Sequence, residues 1–259
     1  MKSSRLLWSV ILTVALLTTL IFIYGFVNAI QTVVYPGGSN LTTPEEEFIE
    51  DISPSDEEIV ILSLGDSLTE GTGDKTQNGY VGVVRELLEE KENKPVYLRP
   101  FAVDGYTTDQ LLDFIMTQSG TRTTIKEANL ILMTIGGNDM FSPGNEIIID
   151  SARESMSPAL ENLKKIFSEI HTLNSEADII YVGLFNPFTE IDEDGEISLF
   201  VQEWNNEVFK ITTGYKQALF IPTYDLFYKN TKNYLSSDVY HPNEEGYKRI
   251  GERIVNALQ

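Results

Sequence analysis

The chain has 259 residues, of which 42% are hydrophobic, so it is long enough and apolar enough to bury an ordinary core. Its formal net charge is −20, which argues against binding to nucleic acid or to anionic lipid, because both depend on lysine and arginine. The sequence contains no cysteine, which excludes disulfides, thiolate metal sites and a cysteine nucleophile.

Residues 1–35 predict a membrane anchor or a signal segment. Residues 6–27 are uncharged and mostly apolar, and at about 1.5 Å per residue they are long enough to cross a hydrocarbon core of roughly 30 Å. Lys2 and Arg5 precede this run, so the rest of the chain is expected at the extracytoplasmic face of the cell membrane. The alternative is a secreted protein cleaved after Ala29, which ends a small-residue motif typical of signal cleavage.

Residues 36–58 predict a flexible acidic linker. They contain three prolines, two glycines and eight acidic residues, and they contain no basic residue. The folded domain is therefore expected to cover residues 59–259. That range shows neither an internal repeat nor a sign of a second domain.

From residue 59 onward, short apolar runs alternate with segments of helical periodicity. Buried strands are predicted at or within 59–64, 96–103, 129–135, 178–185 and 218–227. Helices are predicted at 80–93, 107–118, 154–174, 198–214 and 242–258. The alternation predicts a flavodoxin-like three-layer α/β/α sandwich, with a five-stranded parallel sheet of order 2-1-3-4-5.

Glycines and polar side chains follow the first three predicted strands. Ser67 follows strand one, Gly105 follows strand two and Asn138 follows strand three. Sites in open α/β sheets form beyond the carboxyl ends of strands, so these residues are expected at one edge of the sheet. Each of these turns by itself is also common as an ordinary structural turn without a functional role. The backbone N–H groups of Ser67 and Gly105 and the Asn138 amide are candidate donors to an oxyanion.

A serine nucleophile needs a base, and the chain has two histidines. His171 lies near the end of a charged helix and is expected to be solvated. His241 lies in a loop beyond strand five, three residues after Asp238. That spacing allows the carboxylate to reach Nδ1 of the ring and leaves Nε2 for Ser67.

Four sequence blocks stand at these predicted loop positions in a definite order. They are GDSLTEG at 65–71, DGYTTDQLL at 104–112, GGND at 136–139 and DVYHPNEEGY at 238–247. In order and spacing they resemble the blocks of the GDSL, or SGNH, hydrolases, over essentially all of residues 59–259. The chain looks most like the bacterial lysophospholipase-like or acetylesterase-like members, and the resemblance implies the same three-layer fold.

The resemblance implies an esterase or acyl hydrolase, for which we expect no cofactor and no metal. Ser67 is the implied nucleophile, and His241 is the implied base, oriented by Asp238. Gly105 and Asn138 are the implied oxyanion-hole partners of the Ser67 amide. The expected substrate is an acyl ester, from a lipid or an acylated envelope glycan, and the enzyme is expected to be a monomer.

Other interpretations stay open at this point. The site could remove acetyl groups from carbohydrate or peptidoglycan, or the fold could be a tethered binding module without catalysis. Residues near the strand ends could instead be ligands of a metal-dependent phosphoesterase: Asp66, Asp104, Asp139, Asp238 and His241. Met140 and Phe141, after the third block, are expected to line an acyl pocket, to form a mobile lid or to form core beneath a loop.

Overall fold

The computed structural model describes residues 8, 12–13, 15–19, 22, 24, 58–141 and 147–258. The chain divides into two units, Met1–Glu50 and Asp51–Gln259, and the second unit contains the sheet. The described residues of the first unit are helical and exposed. No helix in the described part of the chain is long and apolar enough to cross a membrane. The segment predicted to do so, residues 6–27, lies mostly outside the described residues, as does the predicted linker.

In the described residues, five parallel strands form one sheet of order β2-β1-β3-β4-β5, which confirms the predicted order. The strands are β1 (Ile59–Gly65), β2 (Val96–Pro100), β3 (Leu130–Thr134), β4 (Asp178–Val182) and β5 (Ala218–Ile221). Gly65 at the end of β1 pairs with Thr134 at the end of β3, so these two central strands end level. Ser67 and Asn138 follow those ends closely in the chain and therefore lie at the same edge of the sheet.

Helices cover both faces of the sheet and occupy the connections. They are α1 (Ser67–Glu70), α2 (Gly79–Glu92), α3 (Thr108–Thr117), α4 (Ser119–Glu127), α5 (Gly137–Met140), α6 (Ile149–Leu173), α7 (Glu196–Thr212), α8 (Tyr224–Phe227), α9 (Thr231–Tyr234) and α10 (Glu244–Ala257). The helix predicted from residue 154 begins at Ile149, because buried Ala152 holds the added turn on the core. Periodicity did not predict α4 or the four-residue helices, since one or two turns carry little periodic signal.

Alternate residues of the central strands point to opposite faces of the sheet. In β3, Ile131 and Met133 pack in the same core as α6 and α7. Leu130 and Leu132 of that strand pack in the core that contains α2 and α10. Burial on both faces explains why this strand is continuously apolar rather than alternating, as parallel sheets require.

Candidate active site

Ser67 begins α1 directly after β1. Gly65 ends the strand with a φ of +121°, and a Cβ added there would lie 1.8 Å from the carbonyl oxygen of Thr134. Only glycine therefore allows the chain to leave the strand at this point. Asp66 then caps α1, because its carboxylate accepts a hydrogen bond from the Leu68 backbone N–H at 3.2 Å. Together, the glycine and the cap hold the serine at the edge of the sheet.

A buried network of hydroxyl groups supports the Ser67 loop. The Thr134 hydroxyl donates to Asp66 at 2.5 Å, and the Thr69 hydroxyl lies 2.7 Å from both the Thr134 and the Tyr80 hydroxyls. Desolvation raises the pKa of Asp66 to about 6, although hydrogen bonds from Thr134 and Leu68 partly oppose it. Sequence reasoning did not find this network, because a threonine in a strand carries no local signal of its partners.

Ser67, His241 and Asp238 are joined by hydrogen bonds. His241 Nε2 lies 2.9 Å from Ser67 Oγ, and His241 Nδ1 lies 2.8 Å from one oxygen of Asp238. The other Asp238 oxygen accepts the backbone N–H groups of Tyr240 and His241, both at 2.9 Å. Desolvation raises the pKa of Asp238, but the hydrogen bonds from His241 and Tyr240 outweigh it and lower the pKa to about 2. At neutral pH the carboxylate is therefore ionised and fixes the ring.

The second and third sequence blocks are tied to each other. The side-chain amide of Asn138 donates to the Tyr106 carbonyl oxygen at 2.9 Å. The neighbouring Asp139 accepts from Thr108, from its backbone N–H at 2.9 Å and from its hydroxyl at 2.5 Å. These bonds fix the loop after β2 against α5. The sequence offered Asp139 only as a possible metal ligand, and its adjacency to Asn138 is the one signal of this role.

The candidate oxyanion donors lie on adjoining loops. One amide hydrogen of Asn138 is directed to Tyr106, and the other remains for a ligand. The backbone N–H groups of Ser67 and Gly105 donate to no described residue. Gly105 has a φ of +77°, and a Cβ added there would meet no atom within 4 Å, so backbone conformation rather than packing favours glycine.

A cavity of about 40 Å³ opens beside Ser67 and Asn138. Its apolar walls are Leu68, Phe141, Leu184, Phe185, Pro187 and Phe188, and Tyr240 also lines it. The two candidates for an acyl pocket are both buried in the hydrophobic core with α6 and α7. Of the two, Phe141 also lines this cavity, and Met140 does not.

The side chains of the remaining titratable candidates, such as His171, Asp66 and Asp139, form no hydrogen bond with the side chains of Ser67, His241 or Asp238 in the described residues. His171 is exposed, and its ring contacts Tyr215 with centroids 5.5 Å apart. Among the described residues, no group of three or more His, Asp and Glu side chains is placed to hold a metal ion. Asp66 and Asp139, which the sequence offered as possible metal ligands, accept hydrogen bonds from backbone N–H and hydroxyl groups instead.

A family model described as the GDSL-like lipase/acylhydrolase family matches residues 63–249. The chain belongs to this family. The Bacillus subtilis (strain 168) protein YpmR is 36% identical over 211 residues, which cover 78% of this chain and 82% of YpmR. The spore germination lipase LipC of Bacillus licheniformis is 31% identical over 209 residues, covering 74% of this chain and 92% of LipC. The family resemblance of the four sequence blocks is confirmed.

Solved structures share the fold of this GDSL hydrolase. The lipase Lip_vut3 from a goat rumen metagenome has a TM-score of 0.70 and 26% identity, covering 77% of this chain and 97% of that chain. Axe2, an acetylxylan esterase from Geobacillus stearothermophilus, has a TM-score of 0.60 and 16% identity, covering 77% and 94% of the two chains. At this identity, Axe2 shows the fold alone. The family and its lipase relatives make the chain a serine ester hydrolase.

Proposed function

We propose that this enzyme hydrolyses carboxylic esters through an acyl-enzyme formed on Ser67. The observation that carries the proposal is the continuous set of hydrogen bonds from Ser67 Oγ through the His241 ring to Asp238, at 2.9 and 2.8 Å. This relation of nucleophile, base and orienting carboxylate is the one that a Ser-His-Asp acyl transfer uses.

In the first half of the reaction, Ser67 Oγ attacks the ester carbonyl carbon while His241 Nε2 takes the hydroxyl proton. The ionised Asp238 keeps a proton on Nδ1, so Nε2 is free to act as the base. Charge develops on the carbonyl oxygen, and the Ser67 and Gly105 N–H groups with the Asn138 amide stabilise it. The bond to the alcohol oxygen then breaks, and that oxygen leaves with the proton from His241.

In the second half, water takes the place of the alcohol. His241 removes a proton from the water as it attacks the acyl-enzyme, and the same donors hold the oxyanion. Collapse of this intermediate releases the carboxylic acid and returns the proton to Ser67 Oγ. Every group that the cycle needs is supplied by the protein.

The cavity beside Ser67 supports a short acyl group. A volume of about 40 Å³ is far below the roughly 300–1,000 Å³ of sites that enclose a drug-sized molecule. The same observation favours a second candidate function, the removal of acetyl groups from carbohydrate or peptidoglycan. Axe2 is named as an acetylxylan esterase, which is in keeping with this alternative but does not transfer its substrate at 16% identity.

We also propose that residues 6–27 hold the enzyme at the extracytoplasmic face of the membrane. An uncleaved anchor leaves the full N-terminus on the mature protein and keeps the enzyme in the membrane fraction. Cleavage after Ala29 would release it. Sequencing the N-terminus of the mature protein together with cell fractionation separates the two, and a cytoplasmic enzyme would contradict both.

The mechanism is tested by Ser67→Ala, with Ser175→Ala as the control at an exposed serine. We expect Ser67→Ala to lower kcat for p-nitrophenyl acetate by about 10⁴-fold or more and to abolish labelling by a fluorophosphonate. The control is expected to match the wild type in both assays. Near-full activity of Ser67→Ala, or activity removed by a chelator and restored by a metal ion, would refute the proposal.

A further inference from the structure

A second cavity, here named the apolar cleft, is formed partly by the loop that carries His241. Its volume is about 690 Å³, against about 40 Å³ for the cavity beside Ser67. Only the larger volume lies in the range of roughly 300–1,000 Å³ that is usual for sites that enclose a small molecule. Its walls include Phe188, Ile191, Leu235, Val239, Tyr240 and His241. The mechanism uses Asp238 and His241 from its lining and gives no role to the apolar residues of the cleft.

The cleft and the small cavity share a wall. Pro187, Phe188 and Tyr240 line both cavities, and the rings of Phe188 and Tyr240 lie 5.5 Å apart between centroids. The Tyr240 ring also contacts the ring of His241, at 5.0 Å. This aromatic pair is therefore common to the cavity beside Ser67 and to the cleft.

Val239, between Asp238 and His241, combines two unfavourable features. Its φ is +57°, in the left-handed region that β-branched residues rarely adopt. Its side chain is 69% exposed, and Ile191 on the same cleft is 68% exposed. Strained backbone is usually found where the surrounding structure and function require it. Two exposed aliphatic side chains beside the catalytic histidine indicate that the cleft receives an apolar group of a ligand.

We infer that the apolar cleft binds the alcohol part of the ester, and that Ile191 and Val239 select alcohols with long alkyl chains. The inference rests on the proposed function. When the acyl carbon bonds to Ser67 Oγ, its bond to the alcohol oxygen breaks, and that oxygen receives the proton from His241. The alcohol must therefore lie against His241, which is a wall of the cleft.

The acyl part lies on the opposite side of the carbonyl group from the leaving alcohol. The small cavity beside Ser67, lined by Asn138 and Phe141, is left for this acyl part. The two volumes then give the substrate class: a short acyl group esterified to a long-chain or similarly bulky apolar alcohol. The ion pair of Lys232 with Glu190, both of which line the cleft, provides a polar edge.

The test compares isomeric esters, because isomers have equal carbon content and nearly equal hydrophobicity. Butyl acetate is paired with ethyl butyrate, and octyl acetate with ethyl octanoate, all below the concentrations at which they aggregate. We expect kcat/KM of the full chain for octyl acetate to exceed that for ethyl octanoate by about tenfold or more. The ratio for the shorter pair is expected to be smaller, because less alkyl surface reaches the cleft.

Ile191→Ser and Val239→Ser test the two aliphatic side chains separately. Each is expected to lower the ratio of kcat/KM for octyl acetate to kcat/KM for ethyl octanoate by about tenfold, which is the effect of losing one aliphatic contact. Leu199→Ser is the matched control, because Leu199 is also 68% exposed but lies on α7 outside the lining of the cleft. The control is expected to keep the wild-type ratio.

The outcomes separate this inference from the proposed function. If Ser67→Ala still hydrolyses octyl acetate, the proposed mechanism is wrong. A second outcome is that hydrolysis depends on Ser67 while the wild type hydrolyses octyl acetate with a kcat/KM no higher than that for ethyl octanoate. In that case the mechanism stands and the assignment of the cleft is wrong. An equal loss of the ratio in Leu199→Ser would also overturn the assignment, because the effect would not belong to the cleft.

Discussion

Replacing Asp66 by asparagine is expected to change how the stability of this hydrolase depends on pH. The side chain is 2% exposed, and desolvation, partly opposed by hydrogen bonds from Thr134 and Leu68, raises its pKa from 3.8 to about 6. The folded protein therefore binds this proton more tightly than the unfolded chain does. The resulting stabilisation is fully present below about pH 4 and is lost as the pH rises through about 6.

The size of this effect follows from the same two values. At about 1.4 kcal/mol per pKa unit, a rise from 3.8 to about 6 corresponds to about 3 kcal/mol of unfolding free energy. Asparagine cannot ionise, but its side-chain oxygen can accept the hydrogen bonds that Thr134 and Leu68 donate to Asp66. The variant is therefore expected to fold and to lack this part of the pH dependence.

The assay is urea denaturation of the wild type and Asp66→Asn at a series of pH values from about 4 to about 7. The difference between the two proteins isolates Asp66, because every other titrating group is common to both. The wild type is expected to lose about 2 kcal/mol relative to the variant across this range, because part of the stabilisation is already lost at pH 4. Asp104→Asn, at an exposed carboxylate on the neighbouring loop, is the control and should track the wild type. Parallel curves for wild type and Asp66→Asn would refute the reasoning.

Three further substitutions test how the site is held in position. Asp139→Ala leaves the N–H and hydroxyl of Thr108 without their acceptor, so it should cost about 1–3 kcal/mol in thermal denaturation and lower kcat. Unchanged stability and unchanged kcat would contradict the link that Asp139 makes to Thr108. Gly65→Ala places a Cβ 1.8 Å from a carbonyl oxygen, so the melting temperature should fall by about 10 °C or more, and an unchanged value would contradict the geometry. Asp238→Asn should lower kcat by about 10³-fold, less than Ser67→Ala, because it disturbs orientation more than chemistry, and a loss below tenfold would argue against its orienting role.

Much of the fold could be predicted because its signals are local. Apolar runs that end in glycine and alternate with helical periodicity specify a parallel sheet, and the described chain has that sheet in the expected order. Boundaries were predicted less well. The helix expected from residue 154 begins at Ile149, because burial of Ala152, a tertiary contact, outweighs what the local sequence signals.

The sequence by itself predicted that Ser67, Gly105 and Asn138 lie at one edge of the sheet. Strand ends in a parallel sheet coincide in space, so residues after those ends must meet there. The three-residue spacing of Asp238 and His241 likewise predicts their contact, because it depends on only one short loop.

Only the tertiary structure decided what surrounds these residues. The buried bond from Thr134 to Asp66, the clamp from Asp139 to Thr108 and the cavity that Phe141 lines all depend on segments distant in the chain. The apolar cleft is such a case too, since its walls come from the loop after β4, from α9 and from the loop before α10. Spacing along a chain specifies contacts within one loop, whereas contacts between loops depend on how the whole core packs.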